Sequence, residues 1–128
     1  MPVKPTLLLI EDDPAVGTAM VKFLHANEYV AVLCRTGVEA LHAATTLRPD
    51  AVITDVHLPD INGLVLSRQL RDTFGPDTPI IVLSGDTSTE TIKSLSFVGA
   101  TFFLSKPVNL DLLKERLAEY LTATPRGC

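Results

Sequence analysis

Three consecutive acidic residues, Glu11, Asp12 and Asp13, follow directly on the apolar run LLLI. Adjacent carboxylates repel one another, and each loses hydration when it is partly buried. This arrangement therefore costs stability unless a cation, a helix N-terminus or open water offsets the repulsion. Which of these three applies depends on the residues that the fold brings close to the acidic run.

Further polar residues stand at the ends of later apolar runs. Asp55 follows AVIT, Ser84 ends IIVLS, and Lys106 comes shortly after TFFL. In an open α/β sheet the carboxyl ends of parallel strands meet at one edge, where ligands bind. Carboxylate oxygens completed by water match Mg²⁺. Asp55 could attack a phosphorus atom in line, while Mg²⁺, the Lys106 ammonium and the Ser84 hydroxyl stabilise the equatorial oxygens of the phosphoryl group. The cluster therefore predicts an aspartyl phosphate.

The elements that must position these residues follow from the apolar pattern. Short, nearly continuous runs rich in Val, Ile and Leu recur at 6–10, 30–34, 51–54, 80–84 and 101–104. Strands that are apolar on both sides are typical of a parallel sheet covered by helices on each face. The segments between these runs carry apolar residues at helical spacing. The spacing is less regular in the segment after the second run, which contains Val38, Leu41 and Leu47. The alternation predicts an α/β fold with an open, doubly wound sheet and right-handed crossovers.

Composition limits the classes of protein to consider. The 128 residues, 46% of them hydrophobic, suit a single domain over 1–128, with a core from about 5 to 121 and a short frayed tail. The sequence has no apolar run long enough to span a membrane and no visible secretory signal, so we expect a cytoplasmic protein. A formal charge of -4 without a basic run argues against direct nucleic-acid binding. Cys34 and Cys128 are expected to be free thiols.

At these positions the sequence resembles the receiver domain of two-component response regulators, the CheY-like family. The motifs that carry the resemblance stand in order along nearly the whole chain: Glu11-Asp12, Asp55 in DVHLPDING, Ser84-Gly85, Phe103, and Lys106-Pro107. The resemblance implies a flavodoxin-like (βα)₅ sandwich with strand order 2-1-3-4-5.

The resemblance also implies roles for the acidic residues. Asp55 would be the phosphoacceptor and a ligand of Mg²⁺. Asp12 would touch the metal directly, Glu11 would act on it through water, and the backbone carbonyl of His57 would be the third protein ligand. Asp13 would only begin the first helix.

Three further roles come with the resemblance. Ser84 would be the switch hydroxyl, and Lys106 would help Asp55 and Ser84 in phosphoryl transfer. Phe103 would be the aromatic rotamer switch, although a Phe there is also a common core residue. The Lys106-Pro107 peptide bond is usually cis in relatives.

The function implied is a signalling switch in a phosphorelay. A histidine kinase or a histidine phosphotransfer protein would supply the phosphoryl group. Phosphorylation would change the face made by the fourth helix, the fifth strand and the last helix, and that face would control an unknown partner or output domain. A phosphorylation-dependent dimer fits the same picture. Such a protein is not an enzyme, though it assists its own phosphorylation and dephosphorylation.

Two other functions compete with this reading. An aspartate-nucleophile phosphatase of the haloacid-dehalogenase kind also uses carboxylates, Mg²⁺, a hydroxyl and a lysine, but it carries a DxD pattern after the first strand, where this chain has EDDP. A receiver-like interaction module that is never phosphorylated is the second alternative. No member of the expected chemical set is missing from the sequence.

Two hypotheses concern details that the family leaves variable. His57 and Asp86, each two residues past a site residue, would approach across the mouth of the site and tune the lifetime of the acyl phosphate. The segment 86–96, DTSTETIKSLS, is predicted to form the fourth helix, yet it is rich in Ser and Thr, which are modest helix formers. We therefore expect this helix to be a weakly held, two-state element.

Overall fold

The computed structural model describes residues 3–85, 88, 93–94 and 99–123. Five parallel strands form one sheet in the order β2-β1-β3-β4-β5. The strands are β1 (Thr6–Ile10), β2 (Val30–Cys34), β3 (Ala51–Asp55), β4 (Ile80–Ser84) and β5 (Phe102–Ser105). The helices within these residues are α1 (Pro14–Ala26), α2 (Gly37–Ala43), α3 (Gly63–Phe74) and the C-terminal α4 (Leu110–Ala123).

The predicted fold class and strand order are therefore confirmed. Two boundaries differ slightly, because β3 includes Asp55 and β5 runs from Phe102 to Ser105. The helix predicted over 86–96 lies largely outside the described residues. The second helix ends at Ala43, so Leu47 lies beyond it. There the Thr45 hydroxyl donates a 2.7 Å hydrogen bond to the His42 carbonyl, and such local bonding competes with continuation of a helix.

Each face of the sheet packs against its own helices. One face presents alternate strand residues such as Leu8, Val52 and Val82 to side chains of α2 and α3. The other presents Leu7, Ile53 and their neighbours to α1 and α4. Burial on both faces explains the continuous apolar strands and leaves the strand ends as the place for polar side chains. None of the helices in the described part of the chain has the length and apolar character needed to cross a membrane.

Side chains in the loops fix where the helices begin. Asp13 accepts hydrogen bonds from the backbone N–H groups of Ala15 and Val16 and caps α1, which starts at Pro14. Asn109 likewise accepts the Leu112 N–H at the start of α4. Asp13 thus acts as a cap, as the sequence predicts, and Asn109 does the same for α4. The capping role of Asp13 separates it from the other two members of the acidic run.

Candidate functional site

The site lies at the carboxyl ends of β1 and β3, which are neighbours in the sheet. Glu11 directly follows β1 and is fully buried, whereas Asp55 ends β3 and is 3% exposed. Asp12 is exposed beside them. One carboxylate oxygen from each of the three residues lies within 4.8 Å of the others. The chain order of the strands reverses here, so the cluster occupies the usual ligand position of an open α/β sheet.

Lys106 reaches this cluster from the loop after β5. Its Nζ lies 2.5 Å from Asp55 Oδ2 and 3.5 Å from Glu11 Oε1. Its backbone N–H donates a 2.9 Å hydrogen bond to the Ser84 carbonyl, which fixes the loop to the end of β4. The Lys106-Pro107 peptide bond is cis. The ammonium therefore faces two buried carboxylates that would otherwise repel one another.

Burial and charge shift the protonation of this group of side chains. Burial raises the pKa of Glu11 to about 7, the neighbouring Asp55 carboxyl adds to this rise, and Lys106 opposes it. Burial disfavours the charge of Lys106, but the hydrogen bond to Asp55 and the charges of both carboxylates outweigh it and raise the pKa of the ammonium. A single lysine thus leaves the acidic cluster short of positive charge.

One carboxylate oxygen in the cluster shows what would complete it. Among the described residues, the buried side-chain atoms without a hydrogen-bond partner are Glu11 Oε2 and Arg116 Nε. A buried, ionised oxygen without a donor is costly, and a cation would remove that cost. The donors are all carboxylate oxygens, which are hard ligands, and Asp12 is open to water. This donor set fits Mg²⁺, which keeps several waters when bound to protein.

The phosphoacceptor candidate is held by its own loop. The His57 N–H donates to Asp55 Oδ1 at 3.2 Å, and the buried Thr54 hydroxyl donates to the Asp55 carbonyl at 3.0 Å. The first residue of α3, Gly63, packs so closely that a Cβ there would overlap the Asp55 carbonyl oxygen. Only glycine therefore lets α3 start directly behind this aspartate.

The remaining predicted site residues that the structure describes differ in burial. Ser84 is the last residue of β4, is fully buried and pairs with Ser105 of β5. Phe103 is partly buried and packs against the face covered by α2 and α3. His57 has an exposed side chain, and its backbone pairs with Asn62 across the loop. Asp86 lies outside the described residues.

Two features of the site were not predicted from the sequence. Glu11 is more deeply buried than Asp12 and touches Lys106, 95 residues away. Asp60 joins the loop after β3 to the start of α2, where it accepts the N–H groups of Gly37 and Val38. An aspartate after a proline in DVHLPDING suggests a turn or a cap, but nothing in the sequence indicates which helix it caps.

The sequence profile of the response regulator receiver domain matches residues 7–118. The chain belongs to this family. Receiver domains are signalling switches and are generally not classed as enzymes, and they bind Mg²⁺ at an acidic pocket. This receiver domain has an acidic cluster made by Glu11, Asp12 and Asp55.

Individual relatives agree with the family match. The receiver domain is 41% identical over 125 residues to the response regulator MprA of Mycobacterium sp. strain KMS, covering 97% of this chain and 53% of the relative. The chain thus spans about half the length of the curated relatives it matches.

Solved structures of the same family superpose closely on this chain. The chemotaxis response regulator CheY4 of Vibrio cholerae is 29% identical with a TM-score of 0.84, covering 92% of this chain and 99% of that one. The receiver domain of the Francisella response regulator 1452 is 28% identical with a TM-score of 0.86, covering 94% and 99%.

Proposed function

We propose that this receiver domain accepts a phosphoryl group on Asp55 from a histidine kinase or a histidine phosphotransfer protein, with Mg²⁺ bound in the acidic pocket. The observation that carries the proposal is the convergence of Asp55 with Glu11, Asp12 and Lys106 at the strand ends. We take residues 1–128 as one receiver unit that works in the cytoplasm. Neither direct binding to nucleic acid nor contact with a membrane is part of the proposal.

The transfer step needs little from the protein beyond position and charge. A carboxylate oxygen of Asp55 attacks the phosphorus of a phosphohistidine, a P–O bond forms as the P–N bond breaks, and the imidazole leaves with a proton from solvent. Lys106, already in contact with Asp55, is placed to pair with the arriving phosphoryl oxygens. The His57 N–H holds the other oxygen of Asp55, which limits rotation of the carboxylate.

The metal ligands in this proposal are Asp12 and Asp55 directly, the His57 carbonyl, and Glu11 through water. When bound, Mg²⁺ would neutralise the charge that develops on the transferred group. Within the described part of the chain, one oxygen of buried Glu11 has no partner, and this oxygen, with the raised pKa of Glu11, supports a divalent cation at this position.

The proposed output begins at Ser84 and Lys106, which turn toward the phosphate. Phe103, on the neighbouring strand β5, would then turn inward, held by packing alone because it lacks the hydroxyl of a Tyr. The face made by the helix predicted over 86–96, by β5 and by the C-terminal helix α4 would change. A partner, an output domain or a second phosphorylated copy would bind there. Amide hydrogen exchange with and without beryllofluoride, a phosphoryl mimic, tests this: unaltered exchange over 86–105 with the mimic bound would place the output elsewhere.

His57 remains the candidate that tunes the phosphoryl lifetime, together with Asp86. Its exposed side chain is attached to the backbone that contacts Asp55, so it can restrict the water that hydrolyses the acyl phosphate. We expect the half-life of the adduct, and its dependence on pH near neutrality, to change in His57→Ala and Asp86→Ala. Unchanged lifetimes and pH profiles in both variants would exclude a gate.

The direct test of the proposed function is intact mass after incubation with acetyl phosphate, with and without Mg²⁺. We expect one phosphoryl adduct in the wild type with Mg²⁺, none without it, and none in Asp55→Asn. Asp72→Asn, which changes an exposed aspartate on α3, should be labelled like the wild type. Labelling of Asp55→Asn at the wild-type level would overturn the assignment. A wild type that is never labelled would favour the unphosphorylated interaction module.

A further inference from the structure

Asp60 makes a long-range connection that the proposed chemistry does not use. It lies near the tip of the loop that joins β3 to α3. Its two carboxylate oxygens accept one backbone N–H each, from Gly37 and from Val38, both at 2.9 Å. These two bonds hold the pKa of Asp60 below its ordinary value, although the side chain is open to solvent. A loop beside the phosphoacceptor is thus attached to the first turn of a different helix.

Helix α2 has its own cap besides Asp60. The Thr36 hydroxyl accepts the Glu39 N–H at 3.1 Å, and the Glu39 carboxylate accepts the Arg35 N–H at 2.9 Å. These two bonds resemble a capping box, except that Glu39 accepts the N–H of Arg35 and not that of the N-cap residue Thr36. Asp60 accepts the N–H groups of Gly37 and Val38, which these local bonds do not involve, and it alone of the three acceptors lies on the loop after β3.

The loop is fixed at its base as well as at its tip. At the base, the Gly63 N–H donates to the Val56 carbonyl at 2.7 Å, and His57 pairs with Asn62. At the tip, Ile61 packs on Gly37 so closely that a Cβ on Gly37 would overlap its side chain. The segment from Asp55 to Gly63 is therefore a closed loop, and its tip rests on the start of α2.

The turn to which Asp60 binds also leads back to the acidic pocket. It follows Cys34, the last residue of β2, whose carbonyl accepts the Glu11 N–H at 3.0 Å. Asp60 thus connects the loop behind Asp55 with the strand end beside Glu11. The contact acts as a brace between the loop behind Asp55 and the turn after β2, the strand whose end holds the Glu11 backbone.

We propose that Asp60 is a positioning residue for Mg²⁺, because its bonds to Gly37 and Val38 hold the loop that presents the His57 backbone to the metal. This inference rests on the proposed function. Partners of metal ligands typically change metal affinity about 10- to 100-fold. Asp60 contacts neither the metal nor one of its ligands directly, so we expect Asp60→Ala to lower the Mg²⁺ affinity by a smaller factor, about 3- to 10-fold. Asp60→Asn, whose amide oxygen can still accept one of the two hydrogen bonds, should lose less Mg²⁺ affinity than Asp60→Ala.

Calorimetric titration with Mg²⁺ and acetyl phosphate labelling against Mg²⁺ concentration test the proposal together. In Asp60→Ala the dissociation constant and the half-saturating Mg²⁺ concentration should rise together, while the labelling rate at saturating Mg²⁺ is retained. Thr36→Ala is the matched control, because it weakens the same helix start without releasing the loop. It should lower the melting temperature but keep the wild-type Mg²⁺ affinity.

Each outcome separates the brace from a purely stabilising cap. Wild-type Mg²⁺ affinity in Asp60→Ala, or an equal loss in Thr36→Ala, would overturn the positioning role and leave the proposed function intact. If Asp60→Ala does not fold, Asp60→Asn decides by the same two titrations. A wild type that neither binds Mg²⁺ nor is labelled would overturn the proposed function, and the inference with it.

Discussion

The two edges of the sheet surround their charged side chains in different ways. At the amino-terminal edge, Arg71 of α3 donates to the Gly75 and Thr78 carbonyls at 2.7 and 2.6 Å and twice to the Gly99 carbonyl, and its Nη2 reaches Thr101 Oγ1. At the carboxyl-terminal edge, Lys106 contacts Glu11 and Asp55, and one oxygen of Glu11 has no donor among the residues that the structure describes.

The difference shows how a fold separates structure from function. Burial lowers the pKa of Arg71, and the Asp77 charge opposes this, yet neutral backbone carbonyls satisfy the guanidinium from all sides. That edge is complete without a ligand. At the other edge burial raises the pKa of Glu11 to about 7, which is the sign of a carboxyl group that lacks compensating positive charge. An edge left incomplete in this way can respond to a cation or a phosphoryl group.

Removing the arginine should give the largest change in stability. Arg71→Ala leaves several carbonyls without their donor at three chain segments, so we expect the free energy of unfolding to fall by about 2 to 4 kcal/mol. Urea denaturation measures this loss. Arg48→Ala, which removes an exposed side chain 3.5 Å from the neighbouring Leu47 carbonyl, should change stability by less than about 0.5 kcal/mol. If the two variants are equally stable, the guanidinium is not what holds this edge.

Neutralising Glu11 should have a smaller effect of the opposite sign. The amide of Glu11→Gln can donate to Asp55 and accept from Lys106, so it removes the uncompensated charge and keeps the contacts. We expect the metal-free protein to gain about 1 kcal/mol in its free energy of unfolding. The gain should come with weaker Mg²⁺ binding. Glu119→Gln, at an exposed ion pair with Arg116, should change neither quantity. Loss of stability in Glu11→Gln would mean that the carboxylate serves the fold.

The smallest effect concerns Asp60 and pH. Because hydrogen bonds from Gly37 and Val38 lower its pKa in the folded protein, its contribution to stability is present above the unfolded pKa and is lost as pH falls through the folded one. The melting temperature of the wild type should exceed that of Asp60→Asn by a few degrees near neutral pH. This difference in melting temperature should disappear as pH drops below 3.8, the ordinary pKa of an aspartate side chain. Thermal scans of both proteins over acidic pH measure it, and a constant gap would contradict this account.

The sequence predicted the fold well because the five strands are buried on both faces. Continuous apolar runs such as residues 7–10 and 80–83 leave little choice of environment, and parallel strands then force Asp55 and the residues after Ile10 to one edge. The acidic pocket could therefore be predicted. The start of α1 at Pro14 could also be predicted, because Asp13 is a local signal.

Long-range polar contacts could not be predicted in the same way. Most partners of Arg71 are backbone carbonyls, which leave no mark on the sequence, and one of them is 28 residues away. The contact between Asp60 and Gly37 spans 23 residues, and only the packed structure shows it. The order of burial of Glu11 and Asp12 depends on where β1 ends relative to the core.

Thermal and urea unfolding of the wild type and Asp12→Ala across a Mg²⁺ series tests most directly whether the incomplete edge is a metal site. KCl of matched ionic strength controls for simple screening of the carboxylates. In the wild type, the free energy of unfolding should rise by about 1.4 kcal/mol for each tenfold increase in Mg²⁺ above its dissociation constant. Asp12→Ala should respond only at higher Mg²⁺ concentrations, and without metal it should be at least as stable as the wild type. A wild type whose stability follows KCl and MgCl₂ equally, or an unchanged Mg²⁺ response in Asp12→Ala, would contradict the account.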